Sequence, residues 1–596
     1  MLIDFFASLS FFIIPYLTGR FFSKKIFQSF VIGIFLWFLI YFVVFFVLSV
    51  FKLNLFPQII RILAIAISVS SLIHVAILAL KNRPKIAWGN FGIGLFLLVF
   101  TTAIYFLVFK RNTPYPLQLN WDIYEHITLA NLISQGKLSF FNTKLSDTFT
   151  FNSYSPIFAI LLSLPKIVFQ KSLLGIYWWL EYWHFLLTAV ASFVIAKRVF
   201  KYKTLAILSS IISSLTFESI MVYSTLFLIP QTFVALIAIL VLQEIMEYRF
   251  YQLIIASLVI ILMHYVVGPV CILVLFAFYF IPRLKAPLKR LNLAIILATV
   301  LSVILISFNF FIKFDLLTIE EASHFNFSLG DKLGFFNQWY GLIFFVFLII
   351  GYIKILKSGD LGQKIILLFS VLLLGLVFAP FSYFLKFYVL GHYLINLVII
   401  AGLSVFILNL SLFLRLIAIV WITFVMAITF YKNQLIYKDP LHFKNYDAQI
   451  SSEEINTGNW LSSHAKNSFL ISDPSMQYIL EATSQEDTQG GAYMNLETRK
   501  KLILIKASYD TKFIKSQLLS IKDQAVITPK KTLFVVGGRY FAWQNLSTEQ
   551  KQSSFYNIWA PRLMTNSDKA YVDFLSHSPQ FKQIYQNEQI TVFEII

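Results

Sequence analysis

The chain has 596 residues, of which 58% are hydrophobic, 18% aromatic and only 13% charged, with a net charge of +19. Soluble globular proteins carry about 25% charged residues, so this composition excludes an ordinary soluble enzyme and describes a chain that crosses a membrane many times. The single cysteine, Cys271, lies in an apolar run and excludes a disulfide framework or a cysteine-based metal site.

The first run, "FFASLSFFIIPYLTG", has no basic leader and no small-residue cleavage site, so it reads as a retained span rather than a signal peptide. Apolar runs long enough for a hydrocarbon core of about 30 Å begin near residues 2, 27, 55 and 88. After a long polar loop, others begin near 174, 204, 226, 250, 267, 291, 338, 364, 387 and 413, which makes about fourteen spans. From residue 433 the composition turns polar and mixed. The expected organisation is 1–87, extra N-terminal spans; 88–432, the main membrane domain with an outer loop at 110–172; and 433–596, an α/β domain.

The basic residues cluster in short loops. Arg20, Lys24 and Lys25 follow the first span, Lys81, Arg83 and Lys85 the third, and Lys197, Arg198, Lys201 and Lys203 the span starting near 174. Further clusters are Arg283, Lys285, Lys289 and Arg290, then Lys354, Lys357 and Lys364. All fall on one side if the N-terminus is outside, and the positive-inside rule makes that side the cytoplasm. The charge is thereby explained by topology, and nucleic acid is not an expected partner. This frame requires "SPIFAILLSLPKIVFQ", 155–170, to lie along the outer surface without crossing. The loop 110–153, the loop 314–336 and the whole C-terminal domain then lie outside.

"WDIYEHITLANLISQG" is the unusual stretch. Asp122, Glu125 and His126 fall at i, i+3 and i+4 on one helix face, and Ile123, Ile127, Ala130 and Ile133 form an apolar stripe. Gly136 ends the helix. The expectation is an amphipathic helix at the outer lipid–water boundary. A carboxylate there can serve as general base on a hydroxyl, and Glu125 with His126 can hold a divalent metal cation. The alternative is a polar face that merely solvates an interfacial helix.

Glu181 and His184, in "WWLEYWHFLL", fall inside the next span. Ionisable groups at that depth are paired or face a wet cavity. They line the outer cavity or pair with each other at i, i+3. His264 closes a span in "LMHYVVGP", where Gly268 and Pro269 break the backbone, as tolerated where backbone lines a cavity. It either lines that cavity or is a packing residue. Lys386 and His392 stand near the outer start of "FLKFYVLGHYLINLVII", where Lys386 either contacts substrate or snorkels to the interface. The second outer loop carries Asp315, Glu320, Glu321, His324 and Asp331, with Glu320 and Glu321 as further acid/base candidates. There is no Walker A loop, no dinucleotide fingerprint and no H-E-x-x-H. "VVGGRY" at 535–540 reads as a turn. The tail alternates helix and strand: "SFLISD", "LFVVGG" and "ITVFEII" as strands, with "SSEEINTGNWLSSHA", "PSMQYILEAT" and "KAYVDFLSHS" as helices.

The order of these motifs resembles the GT-C superfamily of membrane glycosyltransferases that use polyprenyl-phosphate-linked sugars, such as protein O-mannosyltransferases, aminoarabinose transferases and arabinofuranosyltransferases. The resemblance rests on "DIYEHITLANLI", "SPIFAILLSLPKIVF", the "W…E…W" span leading to "AKRVFKYKTLAILSSIISSLTF", and the closing "FKQIYQNEQITVFEII". It covers roughly 88–432 and implies a GT-C-like polytopic α-helical membrane protein with a C-terminal extracytoplasmic α/β domain, in the plasma membrane. It implies Asp122 as catalytic base, Glu125 beside it, and His126, Glu181, His184, His264, Lys386 and His392 as substrate-binding candidates. Lys386 would meet the lipid-linked phosphate. The implied partners are a polyprenyl-phosphate-linked sugar, membrane lipid and a glycan, lipid or protein acceptor. Three spans precede the one that usually comes first, and "SPI" replaces the usual "PPL". A transporter or flippase of lipid-linked glycans is the alternative.

Overall fold

The computed structural model describes residues 1–51, 53, 55–82, 88–109, 115, 121–136, 156–216, 228–284, 287–311, 329–380, 384–437, 451–484, 486–488, 496–522, 531–544 and 564–596. The membrane part holds α1 (Leu2–Arg20), α2 (Ile26–Val50), α3 (Phe56–Asn82), α4 (Trp88–Ile104), α5 (Trp121–Ser134) and α6 (Pro156–Phe169). It continues with α7 (Leu173–Phe200), α8 (Lys203–Leu215), α9 (Pro230–Glu244), α10 (Phe250–Met263), α11 (Val267–Arg283) and α12 (Leu288–Phe311). It closes with α13 (Leu329–Tyr340), α14 (Leu342–Ser358), α15 (Leu361–Phe378), α16 (Phe384–Ile407) and α17 (Leu412–Tyr437).

A helix stands near each of the expected span starts. Among the described residues, eight are long and apolar enough to cross a membrane: α1, α2, α3, α7, α9 with the turn after it, α12, α15 and α16. The first two pack closely because Gly19 and Gly33 face each other's backbone. A Cβ on Gly19 would collide with the Ser29 carbonyl, and one on Gly33 with that of Pro15.

Several helix ends meet at one end of the bundle. Glu244 accepts from the Phe27 and Gln28 amides at the start of α2, and Lys25 pairs with Glu247. Arg198 donates to the Leu242 and Gln243 carbonyls at the end of α9. Arg283 donates to Met246, and Gln363 to Val199. These are helix-end carbonyls and amides satisfied by side chains, and the ends belong to α2, α7, α9, α11 and α15.

Helix α6 is too short to cross: fourteen residues rise about 21 Å, against a hydrocarbon core of about 30 Å. It does not lie on the surface either. Ile157 to Leu164 are all buried, with α1, α2, α3, α5 and α10 packed around it. Tyr41 of α2 meets Ser163 of α6 at 2.8 Å. The expected outer-surface helix is therefore corrected to one enclosed by protein, because the N-terminal spans cover the face that was to meet lipid.

The C-terminal domain comprises α18 (Ser452–His464), β1 (Ser468–Ile471), α19 (Pro474–Ser484), β2 (Asp487–Thr488), α20 (Leu496–Ala507), α21 (Thr511–Lys522), β3 (Lys531–Gly537), α22 (Gly538–Gln544), α23 (Asn566–Ser576), β4 (Phe581–Gln586) and β5 (Ile590–Ile595). The sheet order is β2-β1-β3-β5-β4, with β1 parallel to β2 and β3, and β5 antiparallel to β3 and β4. Alternation along β3 sends Leu533 and Val535 into one core and Phe534 and Val536 into another. The first core includes Leu461 of α18 and Leu480 of α19, and the second includes Leu502, Leu518 and Tyr571. Ser451 and Glu454 form a capping box at α18, and Glu454 also takes a buried ion pair from Arg539. The expected α/β domain is present. Helices α20, α21 and α22 and the short β2 were not expected, and "VVGGRY", read as a turn, is instead the end of β3 running directly into α22.

Candidate functional site

Helix α5 forms where the alternation of "DIYEHITLANLIS" predicts it, and Gly136 ends the described segment at φ +69°, a left-handed conformation suited to glycine. Its setting differs from the expectation. Glu125 is 3% exposed and His126 2%, and Thr128, Asn131 and Ser134 are buried as well. The helix is thus covered on its polar face too. Helix α6 packs against it, and so does α19 of the C-terminal domain. An amphipathic pattern signals one apolar face. It carries no sign of a partner contributed by a domain some 350 residues later. The Asp122 side chain lies outside the described residues, although its backbone is in the first turn of α5.

The polar residues of α5 are used in this packing. Thr128 donates back to the Tyr124 carbonyl at 2.9 Å. Asn131 is held from both sides: Lys166 of α6 donates to its Oδ1 at 2.6 Å, and its Nδ2 donates to the Ala482 carbonyl of α19 at 3.0 Å. The His126 ring lies edge-on to Phe158, with centroids 5.2 Å apart. Burial pushes the His126 pKa down to about 3, so the imidazole is neutral at physiological pH and can both donate and accept.

His264 stands at the end of α10, which packs against α6 as α5 does. Helices α10 and α11 form an antiparallel hairpin with Phe250 beside Phe280 at its base. Fourteen residues of α10 rise only about 21 Å, so the tip stops short of a full crossing. His264 is at that tip. Its Nδ1 accepts from the Val266 and Val267 amides at 3.2 Å each, which satisfies orphan donors at the start of α11. That fixes the tautomer, because an Nδ1 that accepts leaves the ring proton on Nε2. Lys386 is half-buried.

The other expected residues are on α7 and α16 or beyond the described residues. Glu181 and His184 are buried in α7. Neither ring nitrogen of His184 has a hydrogen-bond partner, so the i, i+3 pair is not made. His392 is buried and tied along its own helix, with Tyr388 Oη 3.3 Å from Nδ1 and Asn396 Nδ2 3.4 Å from Nε2. Glu320 and Glu321 lie outside the described residues, as do Asp315 and His324. Among the described residues, no three His, Cys, Asp or Glu side chains come together as a metal site.

Sequence reasoning passed over three polar contacts. Lys332 of α13 is buried and donates to the Ala379 carbonyl at the end of α15. Burial pushes its pKa down to about 8. Tyr115 of the first outer loop donates to Asp4 at the start of α1. The third is the Lys166–Asn131 contact. A cation within an acidic loop and an acid in the first turn of an apolar span were the available signals.

No family model matches this chain, and no curated protein matches it. Among solved structures, the archaeal oligosaccharyltransferase AglB from Archaeoglobus fulgidus, in complex with an inhibitory peptide and a dolichol-phosphate, aligns with a TM-score of 0.48 at 10% sequence identity, covering 80% of this chain and 72% of that one. No residue role is taken from it.

Proposed function

We propose that this protein is a membrane glycosyltransferase that moves a sugar from a polyprenyl-phosphate carrier to a glycan, lipid or protein acceptor on the extracytoplasmic face. The observation that carries this reading is the packing of two elements against α6: α5, which bears Asp122 and His126, and α10, which ends at His264. A lysine cation and an Nε2–H donor suit a phosphate ester. In this scheme the Asp122 carboxylate takes the proton of an acceptor hydroxyl, and the freed oxygen attacks the anomeric carbon. The bond from that carbon to the phosphate oxygen breaks, polyprenyl phosphate leaves with the electron pair, and the configuration inverts in one displacement. Lys386 and His264 stabilise the charge that grows on the departing phosphate.

The second reading, transport of a lipid-linked glycan, draws on the buried polar residues His184, His392 and Asn396 within the bundle. One experiment separates the two. Proteoliposomes carrying the protein are supplied with polyprenyl-phosphate-linked sugars, and lipid products are followed by mass spectrometry. Transfer yields free polyprenyl phosphate and a glycosylated acceptor. Intact sugar-lipid that only changes leaflet would overturn the enzymatic reading.

A further inference from the structure

We infer that α7 and α16 enclose a second polar compartment inside the membrane, a water-binding site held by His184, Ser192 and Asn396, which a partition of phenylalanines divides from the site around α5. This goes beyond the proposed transfer reaction and does not depend on it.

The compartment is built from polar atoms left over by the packing. His184 is 0% exposed, and neither of its ring nitrogens makes a hydrogen bond. Ser192 Oγ and Asn396 Oδ1 are likewise buried without a partner. The Asn396 amide nitrogen, by contrast, donates to Ser213 of α8 at 2.8 Å. These groups share one locality. Tyr393 of α16 donates to Thr188 of α7 at 3.3 Å. His184 and Ser192 flank Thr188 one helical turn to each side, and Asn396 is three residues beyond Tyr393, so all three stand within about a turn of that bond. Buried polar groups in proteins are almost always satisfied, and a polar site with two or more such partners is the setting in which ordered water is found. An imidazole offering both a donor and an acceptor, a hydroxyl and an amide oxygen together are water ligands. Nothing among them selects a larger solute.

The partition can be traced ring by ring. His126 of the α5 site lies 5.2 Å from Phe158, Phe158 lies 6.1 Å from Phe233, and Phe233 lies 6.4 Å from His184, all measured between centroids. Phe11 and Phe30 close on Phe233 at 5.3 Å and 6.3 Å. Four phenylalanines from α1, α2, α6 and α9 thus stand between two histidine-bearing compartments. Water in the inner one keeps His184 solvated, while the rings keep it from exchanging freely with the outer site.

The test is hydrogen–deuterium exchange at the imidazole C2 position, read residue by residue by mass spectrometry on the full chain in lipid nanodiscs at one pH. His464 and His577, both exposed, give the solvent-accessible reference. His184 is expected to exchange measurably though more slowly than the references, and Phe233→Leu, a mild opening of the partition, should raise its rate severalfold. Asn396→Leu should lower it. Absence of exchange at His184 in the unmodified protein, while His464 and His577 exchange fully, would overturn the compartment. Exchange at His184 as fast as at His464, unchanged by Phe233→Leu, would overturn the partition.

Discussion

Asn131 and Ala482 lie about 350 positions apart in sequence, yet the Asn131 amide donates to the Ala482 carbonyl at 3.0 Å. Lys166 of α6 holds the same side chain. The C-terminal domain is therefore part of the wall around α5.

Replacing Asn131 with leucine keeps the volume and removes both bonds, leaving the Lys166 amine and the Ala482 carbonyl to find other partners. A lost buried hydrogen bond of this kind costs about 1–3 kcal/mol. The expected outcome is faster proteolytic release of the C-terminal domain, measured by limited digestion in nanodiscs, with little change in the melting of the remaining spans.

This contact marks the limit of what the sequence discloses. Hydrophobic runs set the helices, since apolar length is a local property. The α/β tail was legible from its alternation. The sheltering of Glu125 and His126 was not, because a helical wheel reports one face and α19 arrives from a distant domain. The His264 tautomer was also hidden, since it depends on two amides at the start of α11.

Acid should weaken the packing around α5. The His126 imidazole takes a proton near 6.5 when unfolded, but only near 3 when folded, because burial disfavours the cation. Between those values the unfolded chain binds more protons, so stability rises with pH across this window and is lost as pH falls through it. Melting temperature followed from neutrality to about pH 4.5 should drop, and His126→Phe should flatten the slope.

The orientation is tested directly. A reporter fused after Lys438 should read extracytoplasmic, and one placed within 284–290 should read cytoplasmic. A cysteine in place of Lys171, which is exposed, should be labelled from outside. Protection at that position, with labelling at Lys201 instead, would mean that α6 crosses.

Glu125→Gln examines the cation. If Glu125 and His126 hold a divalent metal, the variant should lose part of its transfer activity and regain some of it in excess divalent metal. Loss of activity that no metal restores would assign Glu125 a role without a cation.

The central claim is that Asp122 is the base. Asparagine keeps its size and hydrogen bonding but cannot accept the acceptor's proton, and loss of a general base costs about 10²–10⁴ in rate. The measurement is the turnover of Asp122→Asn against the unmodified protein, as polyprenyl phosphate released in proteoliposomes, with the melting temperature as control. The account predicts a fall of that size at an unchanged melting temperature. Near-full turnover in Asp122→Asn, together with its loss in Glu320→Gln or Glu321→Gln, would contradict it and move the base to the second outer loop.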